Sequence, residues 1–298
     1  MTVKSFILKH KLLYELYFFI CNKKINKKKI LRNIEKLSSS YKGGDVKDFI
    51  VSLTSYGERI EELEYTLYSL ITQTVLPQKV VVYLAEADYE IALRREILKK
   101  FEHYFVEYRK TEDIKSYKKL LPALRDFPDK VIITTDDDIF YEKHCLERLW
   151  RSHSVYPNDV IANIGKIPVF SSDALLSYQY WPYAKHNKFS FGLPIGCGGV
   201  LYPVNNFNSV VNNRNLFLKL APTGDDLWFW VMTLLNHKKT MILGQKSEKL
   251  KYVNIYREYN LISSKTLNSK NIGENQNDKQ IQNLVSFFNI DMKQVVKV

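Results

Sequence analysis

The residues best suited to chemistry are three consecutive carboxylates, Asp136, Asp137 and Asp138, set directly after the apolar run Val131-Ile132-Ile133-Thr134-Thr135. Adjacent anions repel one another, so the triplet calls for a cation or a strong hydrogen-bond network to hold it together. Carboxylate oxygens are hard ligands suited to Mg2+ or Mn2+, ions that often complete their shells with substrate phosphates. On an extended backbone Asp136 and Asp138 point one way and Asp137 the other, which lets two carboxylates act together. A solvated acidic turn is the plain alternative. The run in front favours a site: it is apolar and β-branched, as in a central strand covered on both faces, and open α/β sheets bind ligands at the carboxyl ends of their strands.

Two other places stand out. Gly196-Cys197-Gly198-Gly199 has three glycines in four residues, implying positive φ or close approach of backbone to ligand. It is not a phosphate loop, because neither GxxxxGK[ST] nor GxGxxG occurs. The second is Asp225-Asp226, which follows Gly224 where a helical pattern begins near Leu227.

The elements that must position these groups alternate between strand and helix. Phe49 to Leu53 reads as a strand ending in Thr54-Ser55-Tyr56-Gly57, and Ile60, Leu63, Leu67, Leu70 and Ile71 follow at helical spacing. Strands are expected at 79–84, near Phe105, at 131–135, 159–164, 200–202 and 240–243. Helices are expected at about 90–101, 117–124, 142–153, from Leu227 onward and near 281–288. The stretch from Lys166 to Leu193 is irregular and aromatic, a composition that serves core more often than ligand stacking. Strands separated by helical runs imply an α/β fold, a mostly parallel central sheet with helices on both faces.

The 298 residues suffice for a sizeable core, and 45% hydrophobic content excludes a disordered chain. The net charge of +12 is unevenly spread: residues 1–45 hold eleven Lys/Arg against three acids, leaving only +4 for the rest. That basic, aromatic-rich stretch suits an amphipathic helix resting on an anionic membrane through residues 1–40, or a helix packed on the main domain with its lysines in water. No nucleic-acid motif accompanies the lysines. No apolar stretch is long enough to span a bilayer. Three widely spaced cysteines form neither a CxxC pair nor a metal-ligand spacing, so a reducing, cytoplasmic setting is the default.

Taken together, Val51-Ser52-Leu53-Thr54-Ser55-Tyr56-Gly57-Glu58-Arg59, the DxD form Asp136-Asp137-Asp138 and the late Asp225-Asp226 resemble a GT-A-fold (Rossmann-like), nucleotide-sugar-dependent glycosyltransferase. The likeness is to bacterial enzymes of capsule or lipopolysaccharide synthesis and covers residues 48 to about 245. It implies a basic helical segment at 1–45, a GT-A domain at 46–250 and a polar, helical extension at 251–298. It also implies a divalent metal (Mn2+ or Mg2+), a nucleotide-sugar donor and a glycan or lipid-linked saccharide acceptor; the composition adds the expectation of no nucleic acid and, if residues 1–40 dock on lipid, a place at the inner face of the cytoplasmic membrane.

The same resemblance assigns roles. Asp138 would bind the metal, Asp136 the ribose and the metal, and Asp137 would share either task. Thr54, Ser55 and Tyr56 would line base and ribose, Glu86 (or Asp88) would grip the base, and Arg59 and the pair Lys118-Lys119 would meet phosphate. An inverting mechanism needs a base for the acceptor hydroxyl. Asp225 and Asp226 are the candidates, Asp225 nearer the helix cap and Asp226 favoured as the base, kept ionised at neutral pH by the helix N-terminus. Of Trp228 and Trp230, only one can face an acceptor. The alternatives are a sugar-phosphate nucleotidyltransferase, whose Gly- and basic-rich first loop is missing here, and a non-catalytic, membrane-associated carbohydrate-binding protein.

Overall fold

The computed structural model describes residues 25–37, 44–172, 174–185, 188–245, 250–258, 271 and 275–293. Eight strands form the central sheet: β1 (Phe49–Thr54), β2 (Lys79–Leu84), β3 (Val106–Lys110), β4 (Val131–Thr134), β5 (Val160–Ala162), β6 (Lys188–Ser190), β7 (Val200–Tyr202) and β8 (Thr240–Ile242). Their spatial order is β6-β8-β5-β7-β4-β1-β2-β3. The β4-β1, β1-β2, β2-β3 and β8-β5 pairings are parallel, and β7 runs antiparallel between β4 and β5. The sheet is therefore mostly parallel, as its apolar, β-branched strands imply.

Helices cover both faces. Against one face lie α1 (Lys27–Glu35), α2 (Leu63–Ile71), α3 (Glu86–Leu93) and α5 (Cys145–Val155), packed around Phe49, Val51, Leu53, Ile133 and Leu201. The other face carries α4 (Leu121–Asp126), α6 (Arg214–Leu220), α7 (Asp225–Leu235) and α8 (Gln276–Phe287), gathered on Ile50, Val81, Ile132 and Val200. Alternate residues of β1 and β4 thus feed opposite cores, the period-2 rule of a strand. The helix α8, within the stretch expected as an extension, belongs to this second core through Ile281 and Leu284.

Several local expectations are revised. The helix expected over 117–124 is split into a 3-10 turn, Lys115–Lys119, and α4, because Pro122 in the first turn of α4 cannot donate the hydrogen bond that would carry one helix through. The strand before the carboxylates ends at Thr134, so the triplet lies on a turn and the extended alternation of Asp136 to Asp138 does not hold. α7 begins at Asp225 with Gly224 as its cap residue, so neither aspartate is the cap. Trp228 and Trp230 are both buried, their indole N–H groups donating to the Val211 and Phe191 carbonyls, and neither faces an acceptor. The N-terminal stretch 1–24 and the turn 38–43 lie outside the described residues. In α1 itself Ile30 and Ile34 pack into the core while Lys28 and Lys29 stay exposed.

Trp228 is fully buried, at 0% exposure. Trp228→Ala should lower unfolding stability by about 3–5 kcal/mol. Urea unfolding followed by circular dichroism measures this, and a loss below 1 kcal/mol would place the ring outside the core.

Candidate active site

The parallel register of β1 on β4 pairs Ser52 with Thr134, so the loops leaving both strands emerge side by side. There the Ser55 hydroxyl donates to Asp137 Oδ2 at 2.5 Å. Arg59 Nη1 donates to Asp137 Oδ1 at 2.9 Å and to Asp138 Oδ2 at 2.6 Å. The Thr66 hydroxyl fixes the Asp137 carbonyl at 2.7 Å. Ser55 is wholly buried and Asp137 nearly so. They therefore stand beneath the site and hold Arg59 in place, in contrast to the ligand contacts expected of both. Burial pushes the Asp137 carboxyl up from its ordinary range, against the pull of Arg59 and Ser55.

A second cation organises the other acids. The Lys119 ammonium, at the end of the 3-10 turn, lies 3.2 Å from Asp136 Oδ1, 2.8 Å from Asp225 Oδ2 and 3.6 Å from Asp226 Oδ1. Burial alone would lower its pKa, but Asp136, Asp225 and Asp226 outweigh that and raise it well above the usual value. The Gly196 N–H donates to Asp226 Oδ2 at 3.0 Å. A Cβ at Gly196 would stand 2.6 Å from the Lys119 nitrogen and 2.8 Å from Asp226 Oδ1, so a residue with a side chain cannot be placed there without displacing the ion pair. Tyr141 joins the same turn to the triplet: its hydroxyl accepts from the Asp136 amide at 2.8 Å and donates to the Cys197 carbonyl at 3.2 Å.

Asp226 is half-buried in this cluster, with 28% of its side chain accessible. Burial pushes its carboxyl up to about 7; Lys119 opposes the rise, while Asp225 and Asp136 add to it. This corrects the expectation that the helix N-terminus keeps Asp226 fully ionised at neutral pH: desolvation and two neighbouring anions outweigh the helix dipole. Asp225 is more buried, at 6%, and is held directly by Lys119.

The remaining candidates are scattered. Tyr56 is 57% exposed, with the Arg59 guanidinium 5.4 Å from its ring centroid. The Thr54 hydroxyl is spent on the Tyr83 carbonyl, tying β1 to β2. Glu86 starts α3 and pairs with Lys110 on the surface, while Asp88 accepts from the Gly57 amide at 2.9 Å. Lys118, expected at phosphate, is buried against Asp113 at 2.7 Å. Its neighbour Lys119 is the one that reaches the carboxylates. Tyr141 escaped the sequence reading; its only signal there was its position three residues after the triplet. A cavity of about 800 Å3 lies elsewhere, between the 170–181 segment and α8, and its lining includes none of the clustered carboxylates.

Among the described residues no three side chains form a ready-made metal cage. The clustered acids still suit a divalent ion. Among the described residues five carboxylates gather around the cations Arg59 and Lys119. Asp136 and Asp138 retain 30% and 16% side-chain accessibility at the edge of the crevice. A pair of carboxylates completed by substrate phosphate is the usual way Mg2+ is bound, and hard oxygen donors serve Mn2+ equally.

No family model matches this chain, and no curated protein matches it. Among solved structures, it is similar to the 1–349 portion of TarS from S. aureus, with 17% identity, 69% of this chain and 59% of that chain covered, and a TM-score of 0.44. It is also similar to 4-diphosphocytidyl-2C-methyl-D-erythritol synthase from Anaerococcus prevotii, with 10% identity, 74% and 94% covered, and a TM-score of 0.43. A third is the mannosyltransferase PcManGT from Pyrobaculum calidifontis in complex with GDP-Man and Mn2+, at 17% identity, 49% and 41% coverage and a TM-score of 0.30. The chain thus spans less than two thirds of the TarS portion, and likenesses at this level leave the activity to be argued from the site.

The raised Asp226 pKa has a consequence for stability. A carboxyl that ionises near 7 when folded and near 4 when unfolded favours folding at low pH, and that contribution is lost as pH rises from about 4 to about 7. Asp226→Asn should therefore be more stable than the parent at pH 8, on the order of 2 kcal/mol, with the gap closing toward pH 4. Thermal melts across pH measure this; a variant less stable at pH 8 would show Asp226 to be chiefly a partner of Lys119.

Proposed function

We propose that this chain is a GT-A-type glycosyltransferase, transferring a sugar from a nucleoside diphosphate donor to a glycan or lipid-linked saccharide acceptor with inversion, in bacterial surface-polysaccharide synthesis. One observation carries the reading. At the carboxyl ends of β1 and β4 two sets of acids meet across Lys119, and their environments differ: Asp136 and Asp138 are ion-paired at the crevice edge, whereas Asp226 is driven toward neutrality. Acids held apart in this way mark a division of labour, one set binding charge and one moving a proton.

As the donor's glycosidic bond breaks, charge builds on the departing diphosphate, and a Mn2+ or Mg2+ ion held by Asp138 and Asp136 would neutralise it. Arg59 fixes Asp138 for that task and, with the exposed Tyr56 ring beside it, offers a surface for the nucleoside. Asp226 receives the proton of the attacking acceptor hydroxyl. Its Oδ2 is anchored by the Gly196 N–H, which orients the carboxylate. A base with a pKa near 7 balances ionised fraction against proton affinity at neutral pH. Asp225, pinned on Lys119, keeps that ammonium in place. One base acting on the acceptor without a covalent sugar-enzyme intermediate gives inversion. The nucleotidyltransferase alternative needs a first loop offering backbone N–H groups to phosphate, and here the Gly57 N–H is taken by Asp88. Residues 1–40, with their excess of lysine, would hold the enzyme at the anionic inner face of the membrane.

Two outcomes follow. Mn2+ with a nucleoside diphosphate at about 100 times its dissociation constant should stabilise the protein by roughly 2.7 kcal/mol in thermal-shift assays. Asp138→Asn should abolish the Mn2+-dependent part, and an unchanged shift would remove the triplet from donor binding. In transfer assays the parent rate should rise with pH through about 7 as Asp226 ionises. Asp226→Asn should lower the rate constant by about 10²–10⁴ while sparing donor affinity. Full activity in that variant would place the base elsewhere.

A further inference from the structure

Lys166 is a buried cation that the proposed chemistry does not use. It is 7% exposed and, among the described residues, its ammonium has no carboxylate within ion-pair distance, Asp278 acting on it from further away. Its surroundings are a backbone carbonyl and two rings. The ammonium donates to the Tyr178 carbonyl at 3.3 Å and lies 3.9 Å from the Tyr178 ring centroid and 5.4 Å from that of Tyr183. Rings and one carbonyl stabilise a cation only partly, so burial lowers the Lys166 pKa to about 8, with Asp278 opposing. An ammonium has three donors, and among the described residues one is engaged. A buried charge kept at such a cost points to a ligand of opposite charge.

The place of Lys166 relates it to the proposed base. Lys166 pairs with Leu193 in a short antiparallel ladder and bridges Tyr183 on its other side. Leu193 precedes by three residues the Gly196 whose N–H holds Asp226, a span of at most about 10 Å. Tyr178 is itself near the crevice: burial raises its phenol pKa, and Tyr183, Asp226 and Cys197 raise it further. The platform is braced from behind, because Asp278 of α8 accepts from the Tyr178 amide at 2.7 Å and from the Ser177 hydroxyl at 2.8 Å. Tyr183 is 46% exposed, so the ring pair around the ammonium meets solvent on that side.

We propose that Lys166, with the rings of Tyr178 and Tyr183, is an oxyanion-binding subsite on the acceptor side of Asp226, and that the acceptor is a saccharide bearing a carboxylate or phosphate. The oxyanion takes the donors left over by the Tyr178 carbonyl, and the exposed Tyr183 ring offers a flat face to the sugar. The word acceptor rests on the glycosyltransferase reading; the anion site itself does not.

The test uses the full chain and three probes, glucuronate, glucose 6-phosphate and neutral glucose, titrated by protein-observed NMR with and without UDP and Mn2+. Both charged sugars should bind about tenfold more tightly than glucose, a difference of the size one charge-assisted hydrogen bond supplies. Lys166→Met should erase the preference and Lys166→Arg should keep it. Because Asp278 acts on Lys166 only from beyond ion-pair distance, the methionine variant should melt close to the parent. The proposal is overturned if glucose binds equally well, if Lys166→Met retains the preference, or if that variant loses much stability, which would make Lys166 a structural prop. Displacement of the charged sugars by UDP would place the oxyanion in the donor site and overturn it too. Should Mn2+-dependent nucleotide binding also be absent, the glycosyltransferase reading falls with it.

Discussion

The ion cluster around Lys119 is the constraint on which the site depends. A buried ammonium is costly unless its counter-ions are close and fixed, and here they come from Asp136 after β4 and from Asp225 and Asp226 at the start of α7. Gly196 must present a bare backbone for these groups to fit, and Tyr141 must tie the Cys197 carbonyl to the Asp136 amide. Removing either partner would leave an uncompensated charge in a dry place. The cluster is thus a point where the arrival of four separate chain segments is checked together.

Arg59 plays the matching part on the other side of the triplet. By bridging Asp137 and Asp138 it divides three consecutive aspartates between two cations, which relieves the repulsion that their adjacency creates. Asp137 is the buried anchor, and Asp136 and Asp138 keep part of their side chains accessible. Arg59, with Tyr56 beside it, thus stands on one side of the triplet, and Lys119, Asp226 and Gly196 stand on the other.

At two places the structure carries strain of an electrostatic kind. Asp226 and Lys166 are both held in environments that disfavour their charged forms. Such groups lower stability, and folds keep them where the charge has work to do. The closing helix α8 makes the arrangement rigid: Asp278 fixes Tyr178, and Gln280 accepts from the Thr223 amide at 3.0 Å, just before the Gly224 cap of α7. It packs in one core with the sheet.

Much of the fold was readable from the chain alone. The β-branched run before Asp136, the strand at 79–84 and the alternation of strands with amphipathic helices each follow from local periodicity, and the parallel sheet with two covered faces follows from their order. The acids of the site were visible for the same reason: three adjacent carboxylates at a strand end are a local feature. What was decided only in three dimensions is which charge meets which. Lys118 and Lys119 are neighbours with equal chemistry, and only the 3-10 turn, imposed by the break before Pro122, sends one to Asp113 and the other to the carboxylates. Likewise the environment of Asp226 arises from Asp136, Asp225 and Lys119 together, residues far apart in sequence, and Trp228 and Trp230 both turned out to be core because α7 is surrounded on all sides. Sequence sets local geometry through short-range sterics and hydrophobic period; burial and long-range ion pairing, which set the pKa values, exist only once the segments have packed.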